Sequence, residues 1–132
     1  MSLENLERIN KLHVEAPDQE EIKNLILAAS ERLADSQKTG LSYSSRFDLA
    51  YNASHGLALA ALRAAGYRSD QRYIVFQCLQ HTSGLAKGRI RIFSTCHERR
   101  NLAEYEGHYE KDEQLLAELI DAGNALLTEF QV

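Results

Sequence analysis

Apolar side chains recur every three or four positions along most of this chain, the spacing that places them on one face of an α-helix. The pattern predicts helices over about residues 17–40, 44–65, 89–105 and 111–130. The helix at 44–65 carries many alanines, so neighbouring helices are expected to approach it closely and bury it. One proline and seven glycines are few helix breakers, which suits long helices joined by short turns.

Two further segments are less clearly marked by the pattern. Residues 1–16 are predicted to form a short N-terminal arm or helix. The run from Tyr73 to Phe76 has side chains that favour strands, but no partner strand is evident, so residues 71–81 are predicted to be a short helix. The resulting fold class is all-α: a single up-and-down bundle of four to five helices, with residues 1–132 as one domain and 18–130 as the bundle.

Composition and charge are those of an ordinary globular domain. Apolar residues make up 44% of the chain and charged residues 26%, and 132 residues suffice for one hydrophobic core. The net charge of −4 argues against coating of DNA, although a local basic cleft remains compatible with it. No apolar run approaches the roughly 20 residues of a membrane helix, and a signal-peptide core is absent. We therefore expect a cytoplasmic protein without a membrane partner.

Several residue types that often carry chemistry are interpreted as structural. Cys78 and Cys96 lie in apolar stretches and are predicted to be small buried hydrophobes in a reducing compartment. His55 is interpreted as a hydrogen-bonded packing residue. No zinc motif, glycine-rich phosphate loop or Ser/His/Asp signature is present, so we expect neither a metal nor a cofactor.

Basic residues cluster around the short predicted helix. We interpret them as a solvated helix end, and the alternative is a basic patch. These residues are Arg68, Arg72, Lys87, Arg89 and Arg91.

The densest polar segment of the chain is residues 96–109. At about 100° per residue, His97, Asn101 and Tyr105 form a polar stripe along the helix, and Arg100 falls at the edge of the neighbouring apolar face. An arginine beside such a row can form one wall of an anion-binding groove.

A structural interpretation of the same residues stands beside this one. Arg100 and Glu104 are four positions apart, and such pairs commonly decorate solvated helix faces. Asn101 and Tyr105 can equally hydrogen-bond a neighbouring helix or subunit.

The motif RNxxxY at residues 100–105, near the end of a penultimate long helix, resembles the signature region of HEPN domains. The alanine-rich helix that carries YNASH at residues 51–55 and ends at Gly66 is similar to their second helix. The resemblance covers about residues 18–130. It implies a four- or five-helix bundle that dimerises and brings two copies of the signature into a shared cleft.

The resemblance also implies an activity. Many HEPN proteins are metal-independent ribonucleases, often toxins paired with a nucleotidyltransferase antitoxin, and their signature is an arginine, a polar residue and then a histidine. Arg100 and Asn101 match the first two positions, Tyr105 occupies the histidine position, and His108 is the nearest histidine. The implied catalytic residues are Arg100 and His108, with Asn101, Tyr105 and His97 binding the substrate.

The tyrosine at the histidine position changes the expected chemistry. Cleavage of RNA through its 2′-hydroxyl needs a base that is poised near neutral pH, as imidazole is. A phenol with a pKa near 10 remains protonated, so Tyr105 is first a hydrogen-bond donor. This predicts a protein that binds RNA or nucleotide with weakened or lost catalysis, or one that relies on His108.

The leading hypothesis is a HEPN-like homodimer that binds RNA or a nucleotide in an inter-subunit cleft. In the catalytic version of this hypothesis, the dimer is a metal-independent ribonuclease of the toxin–antitoxin type. The alternative is a non-catalytic protein–protein interaction module, or a partner of a nucleotidyltransferase, in which the Arg/Asn/Tyr row holds the dimer together. A third hypothesis is a bundle that binds a small molecule in a pocket lined by Tyr and His.

Overall fold

A computed structural model of the protein describes residues 2–131, and most of its regular structure is helical. The helices in chain order are α1 (Leu3–Arg8), α2 (Gln19–Ser36), α3 (Tyr43–Ala64), α4 (Arg72–Gln77), α5 (Leu79–Thr82), α6 (Lys87–Glu106) and α7 (Glu113–Phe130). Two short antiparallel strands accompany them, β1 (His13–Val14) and β2 (Tyr67–Arg68). The predicted all-α bundle is therefore confirmed, and no helix within 2–131 has the length and apolar character needed to cross a membrane.

The ends of the long helices are set by local side chains. Asp18 caps α2 by accepting two backbone N–H groups at 3.0 and 3.2 Å, and Ser42 caps α3 by accepting one at 3.1 Å. Gly107 ends α6 in the left-handed region at φ 70°, where a side chain would be strained. The predicted start of α2 and the predicted break at Gly107 are confirmed, and α2 ends at Ser36, a few residues before Gly40.

Helix α3 lies at the centre of the bundle. It packs against α2 and α7, while α7 also contacts α6, and α4 fills the space between α3 and α6. Ala50, Ala53 and Ala58 are fully buried along α3, as the alanine pattern predicted. At Gly123 of α7 an added Cβ would lie 3.1 Å from the Ser54 hydroxyl, so α3 and α7 approach each other closely because both residues are small.

The segment with strand-like side chains is helical. Val75 and Phe76 of α4 are completely buried, and the Phe76 ring stacks on Phe93 of α6 with ring centroids 5.3 Å apart. Burial of these apolar side chains outweighs their local preference for a strand, because a strand here would leave its backbone groups without a partner.

The N-terminal segment is part of the hydrophobic core. Leu6 and Leu12 are buried in it, and β1 places His13 opposite Arg68 of β2. The segment thus contains the short helix α1 and packs against the bundle.

A buried arginine near the end of α3 joins this segment to the rest. The Arg63 side chain is 1% exposed. Its Nε donates to Glu21 at 2.7 Å, and Nη1 donates to the carbonyl oxygens of Glu15 and Tyr67 at 2.9 and 3.3 Å. Nη2 donates to the carbonyl oxygen of Ala16 at 2.8 Å and lies 3.2 Å from the Glu15 carboxylate. The five N–H groups of the guanidinium can thus all be satisfied, as a buried charge requires.

Arg68 reinforces the same junction from the surface. Its guanidinium donates to the carboxylates of Glu15 and Glu21. Hydrogen bonds from Arg68, and then from Arg63, lower the pKa of Glu21. The N-terminal segment, the start of α2 and the end of α3 therefore meet around two guanidinium groups and two carboxylates.

We expect Arg63→Ala to lower the free energy of unfolding by about 3–5 kcal/mol, because it empties a buried site, removes two ion pairs and leaves three carbonyl groups without their donor. Urea denaturation followed by circular dichroism measures the change. The control is Arg89→Ala, which removes an exposed arginine 3.2 Å from Asp121 and should cost less than about 1 kcal/mol. Equal losses in the two variants would contradict the structural role of Arg63.

Candidate functional site

The candidate site is organised around the buried ring of Tyr51 in the middle of α3. The guanidinium carbons of Arg72 and Arg100 lie 5.4 and 5.3 Å from the centroid of this ring, within the range of a cation–π contact. The Tyr51 hydroxyl lies 2.9 Å from Nδ1 of His97. We call the residues that meet here the Tyr51 cluster: Tyr51, Asn52, Arg72, His97, Arg100 and Asn101.

Three helices contribute to the Tyr51 cluster. Helix α6 presents His97, Arg100 and Asn101 on adjacent turns, and the Asn101 side-chain nitrogen lies 3.3 Å from Nε2 of His97. Helix α4 begins at Arg72. Nη1 of Arg72 donates to the side-chain oxygen of Asn52, a residue of α3, at 2.9 Å. The packing of α4 between α3 and α6 therefore decides which residues meet.

The imidazole of His97 is held from both sides. The Tyr51 hydroxyl lies 2.9 Å from Nδ1, and the Asn101 amide nitrogen lies 3.3 Å from Nε2. If Asn101 donates to Nε2, the neutral ring carries its proton on Nδ1, facing the Tyr51 hydroxyl. Tyr73 packs edge-on against the same ring, with centroids 6.2 Å apart. Both ring nitrogens are thus engaged within the protein.

The charges of the cluster keep its histidine neutral. Burial lowers the pKa of His97, and the nearby positive charges of Arg100 and Arg72 lower it further. Burial raises the pKa of Tyr51, and the neighbouring guanidinium of Arg72 opposes that shift only in part. Near neutral pH the positive charge of the site therefore resides on the two arginines.

The two arginines differ in their partners. Arg100 lies 3.3 Å from Glu104, so the predicted i,i+4 pair is confirmed, and its side chain is 21% exposed. Such a partly exposed pair is weak and can exchange for another anion. Arg72 has no carboxylate within 4 Å in the described part of the chain. The interpretation of Arg72 as a solvated helix end is wrong, because it is half-buried beside Tyr51 and Asn52.

The predicted site residues are brought together only in part. His97, Arg100 and Asn101 meet in the cluster, whereas the Tyr105 side chain is 76% exposed and forms no hydrogen bond with any residue from 2 to 131. His108 lies beyond the end of α6. Sequence spacing could not reveal Arg72 or the central place of Tyr51, because both depend on how α3, α4 and α6 pack.

His108 and Arg100 line a common groove next to the cluster. This terminal groove lies between the start of α3 and the end of α6 and has a volume of about 360 Å³. Its aromatic walls are Tyr43, Phe47 and Tyr109. Tyr43 meets Tyr109 edge-on, with centroids 6.3 Å apart. The groove is large enough for a small molecule.

Three carboxylates border the terminal groove, and two of them have cationic partners. Glu104 lies 3.3 Å from Arg100, and Glu110 lies 3.7 Å from Arg99. Asp48 has no cation within 4 Å among residues 2–131. Burial raises its pKa, and the nearby charge of Glu104 adds to the shift. The Asp48 residue is nevertheless exposed, and the charge of Arg100 opposes the shift without forming a contact within 4 Å among residues 2–131.

Other candidate residues have structural roles. Cys78 and Cys96 are buried free thiols, as predicted, and burial raises their pKa values to about 11 and about 12, so neither is a reactive thiolate. His55 forms no hydrogen bond with the residues that the structure describes, contrary to prediction, and packs edge-on against Phe76 with centroids 5.8 Å apart. Across 2–131 no cluster of His, Cys, Asp and Glu side chains suits a metal ion.

The burial of His55 predicts a pH-dependent stability. Its pKa falls from 6.5 to about 4, mainly by burial and also through the charges of Arg72 and Arg100. The unfolded chain therefore binds an extra proton between these values, and roughly 3 kcal/mol of stability should be lost as the pH falls from 6.5 towards 4. Urea denaturation at several pH values should show a shallower dependence for His55→Gln than for wild type. An unchanged dependence would contradict the burial of an uncharged imidazole.

Comparison with known proteins leaves the function to be argued from the site itself. The sequence matches no protein-family model, and no curated protein is significantly similar to it. The geometry of the Tyr51 cluster and the chemistry of the terminal groove therefore carry the functional argument, together with the resemblance of residues 100–105 to a known signature.

Proposed function

We propose that this protein binds the phosphate group of RNA or of a nucleotide at the Tyr51 cluster. The observation that carries the proposal is the pair of guanidinium groups, Arg72 and Arg100, on the ring of Tyr51. Within residues 2–131, the Arg72 guanidinium has one side-chain hydrogen-bond acceptor closer than 3 Å, and this acceptor is the uncharged amide oxygen of Asn52.

The donors of the cluster suit a phosphate. A guanidinium presents a planar fork of N–H groups that matches two phosphate oxygens, and Arg72 uses only Nη1 towards Asn52. The bond from Arg100 to Glu104 is an exposed pair, so an incoming phosphate can replace that carboxylate. Asn101 adds amide N–H groups on the same surface.

The same geometry supports binding more directly than cleavage. A general base must accept a proton from the substrate, and both nitrogens of His97 already have partners at 2.9 and 3.3 Å. His97 could act only if Asn101 moved away, and His108 borders the groove beside Arg100. We therefore place phosphate binding first and propose metal-independent RNA cleavage by Arg100 and His108 only as its catalytic extension.

The resemblance to HEPN domains is compatible with this proposal. In such a dimer, two copies of the segment 100–105 would face a shared cleft, and each copy would bring its own Arg100. Two clusters in one cleft would contact several phosphates of an RNA strand. The proposal does not require the dimer, because Arg72 and Arg100 meet within one chain.

We expect Arg72→Ala to weaken binding of a short single-stranded RNA about tenfold, because it removes a charged contact to phosphate. Fluorescence anisotropy at several salt concentrations measures both the affinity and its salt dependence. The slope of log Kd against log salt should fall by about 0.7 when one phosphate contact is lost.

The matched control is Arg32→Ala, which removes the same charge from an exposed position on α2. It should leave the affinity nearly unchanged and the salt slope intact. Equal weakening by Arg72→Ala and Arg32→Ala would mean that net charge, rather than the Tyr51 cluster, governs binding. Absence of RNA and nucleotide binding to the wild type would refute the proposal.

A second candidate function is the interaction module, which an exposed apolar surface favours. Leu102, Tyr105 and Tyr109 lie at the end of α6 and just beyond it, and they are 38%, 76% and 58% exposed. Aromatic side chains of this kind are enriched at protein interfaces. We propose a second copy of this chain as the first candidate partner, with a nucleotidyltransferase as the alternative partner.

We expect Tyr105→Ser to raise the dissociation constant of a dimer about thirtyfold, because a tyrosine at an interface hot spot contributes roughly 2 kcal/mol. Sedimentation equilibrium measures the shift. Ile9→Ser, at an exposed apolar position after α1, is the control and should have no effect. A wild-type protein that stays monomeric at high concentration would exclude the self-association version.

A further inference from the structure

The terminal groove and the Tyr51 cluster are parts of one continuous surface. Arg100 borders the groove and also contacts the Tyr51 ring. Beneath this surface, a run of stacked rings passes from Tyr43 to Phe47 at 6.0 Å and from Phe47 to the buried Tyr51 at 6.4 Å between centroids. A ligand whose phosphate lies at Arg100 would therefore have the remainder of its structure beside the groove.

Asp48 is the acid of the groove that has no cationic partner within the described residues. The acids Glu104 and Glu110 face Arg100 and Arg99, whereas no cation in the described residues lies within 4 Å of the Asp48 carboxylate. Asp48 lies four residues before Asn52 on α3. The Asn52 amide nitrogen donates to the backbone carbonyl oxygen of Asp48 at 2.9 Å and does not occupy the Asp48 carboxylate. Two carboxylate oxygens are thus available to accept hydrogen bonds from a ligand.

The bases of nucleic acids differ in how well they fit a carboxylate. Guanine presents two adjacent donors on its Watson–Crick edge, N1–H and the 2-amino group, which match the two oxygens. Adenine and cytosine place a ring-nitrogen acceptor beside their amino group, and that acceptor would face the negative charge. Uracil has a single N–H between two carbonyl oxygens. A carboxylate on the wall of the groove, where Asp48 lies, therefore favours guanine.

The aromatic walls supply the other part of base recognition. Tyr43, Phe47 and Tyr109 border the groove, and single-stranded nucleic acids are commonly bound by stacking of bases on such rings. Stacking alone tolerates every base. Discrimination between bases must therefore come from the polar edge of the groove, which is where Asp48 lies.

We propose that the terminal groove binds the base of the nucleotide whose phosphate is held at the Tyr51 cluster, and that Asp48 selects guanine. The inference rests on the proposed function, since it assumes a phosphate at Arg100 and Arg72. It adds a base preference and assigns it to one residue.

The test is isothermal titration calorimetry with the 5′-monophosphates of guanosine and adenosine and with ribose 5-phosphate, which lacks a base. Wild-type protein should bind guanosine monophosphate about tenfold more tightly than adenosine monophosphate. Asp48→Asn should remove most of this preference and keep the affinity for ribose 5-phosphate. The matched control Glu98→Gln removes an exposed negative charge outside the groove and should keep the preference.

The outcomes separate this inference from the proposed function. Equal affinity for the two nucleotides in wild type, with both weakened by Arg72→Ala, would overturn guanine selection and leave phosphate binding intact. A guanine preference that survives Asp48→Asn would overturn the role of Asp48. Failure of all three compounds to bind wild type would overturn the base site and the proposed nucleotide function together.

Discussion

The enclosure of the Arg63 guanidinium is the interaction on which the arrangement of the chain depends. A charge that is 1% exposed is tolerated only when its N–H groups are satisfied, and their acceptors come from the segment before α2, from α2 itself and from the turn after α3. These segments must therefore meet at one place. The contact fixes the end of α3, and α3 in turn carries Asp48, Tyr51 and Asn52 to the candidate site.

Arginine side chains contact α3 in two different environments. Near its end, Arg63 is buried, paired with carboxylates and closed to any ligand. Near its middle, Arg72 and Arg100 rest on Tyr51 at 5.4 and 5.3 Å and remain partly accessible. The difference is not in the side chains, which are identical, but in the acceptors around them. A guanidinium with incomplete pairing is the one that an external phosphate can approach.

Burial at the Tyr51 cluster also tunes the neutral groups. His97 and His55 are both shifted towards the uncharged form by burial and by the same two arginines. A third or fourth positive charge is therefore avoided beside the two guanidinium groups. Next to them, Asp48 introduces a carboxylate at the mouth of an aromatic groove, so that a cationic and an anionic feature border one surface. That contrast is suited to a ligand with an acidic end and a hydrogen-bond-donating end.

The sequence by itself determined the helices, their breaks and their buried faces, because these follow from periodicity and from local rules at Asp18 and Gly107. It also marked the face of α6 that carries His97, Arg100 and Asn101, since spacing along one helix is a local property. Only the tertiary structure decided that Arg72 joins them and that Tyr105 does not. The reason is physical: contacts between α3, α4 and α6 arise from side-chain packing across segments distant in sequence, which no periodicity encodes.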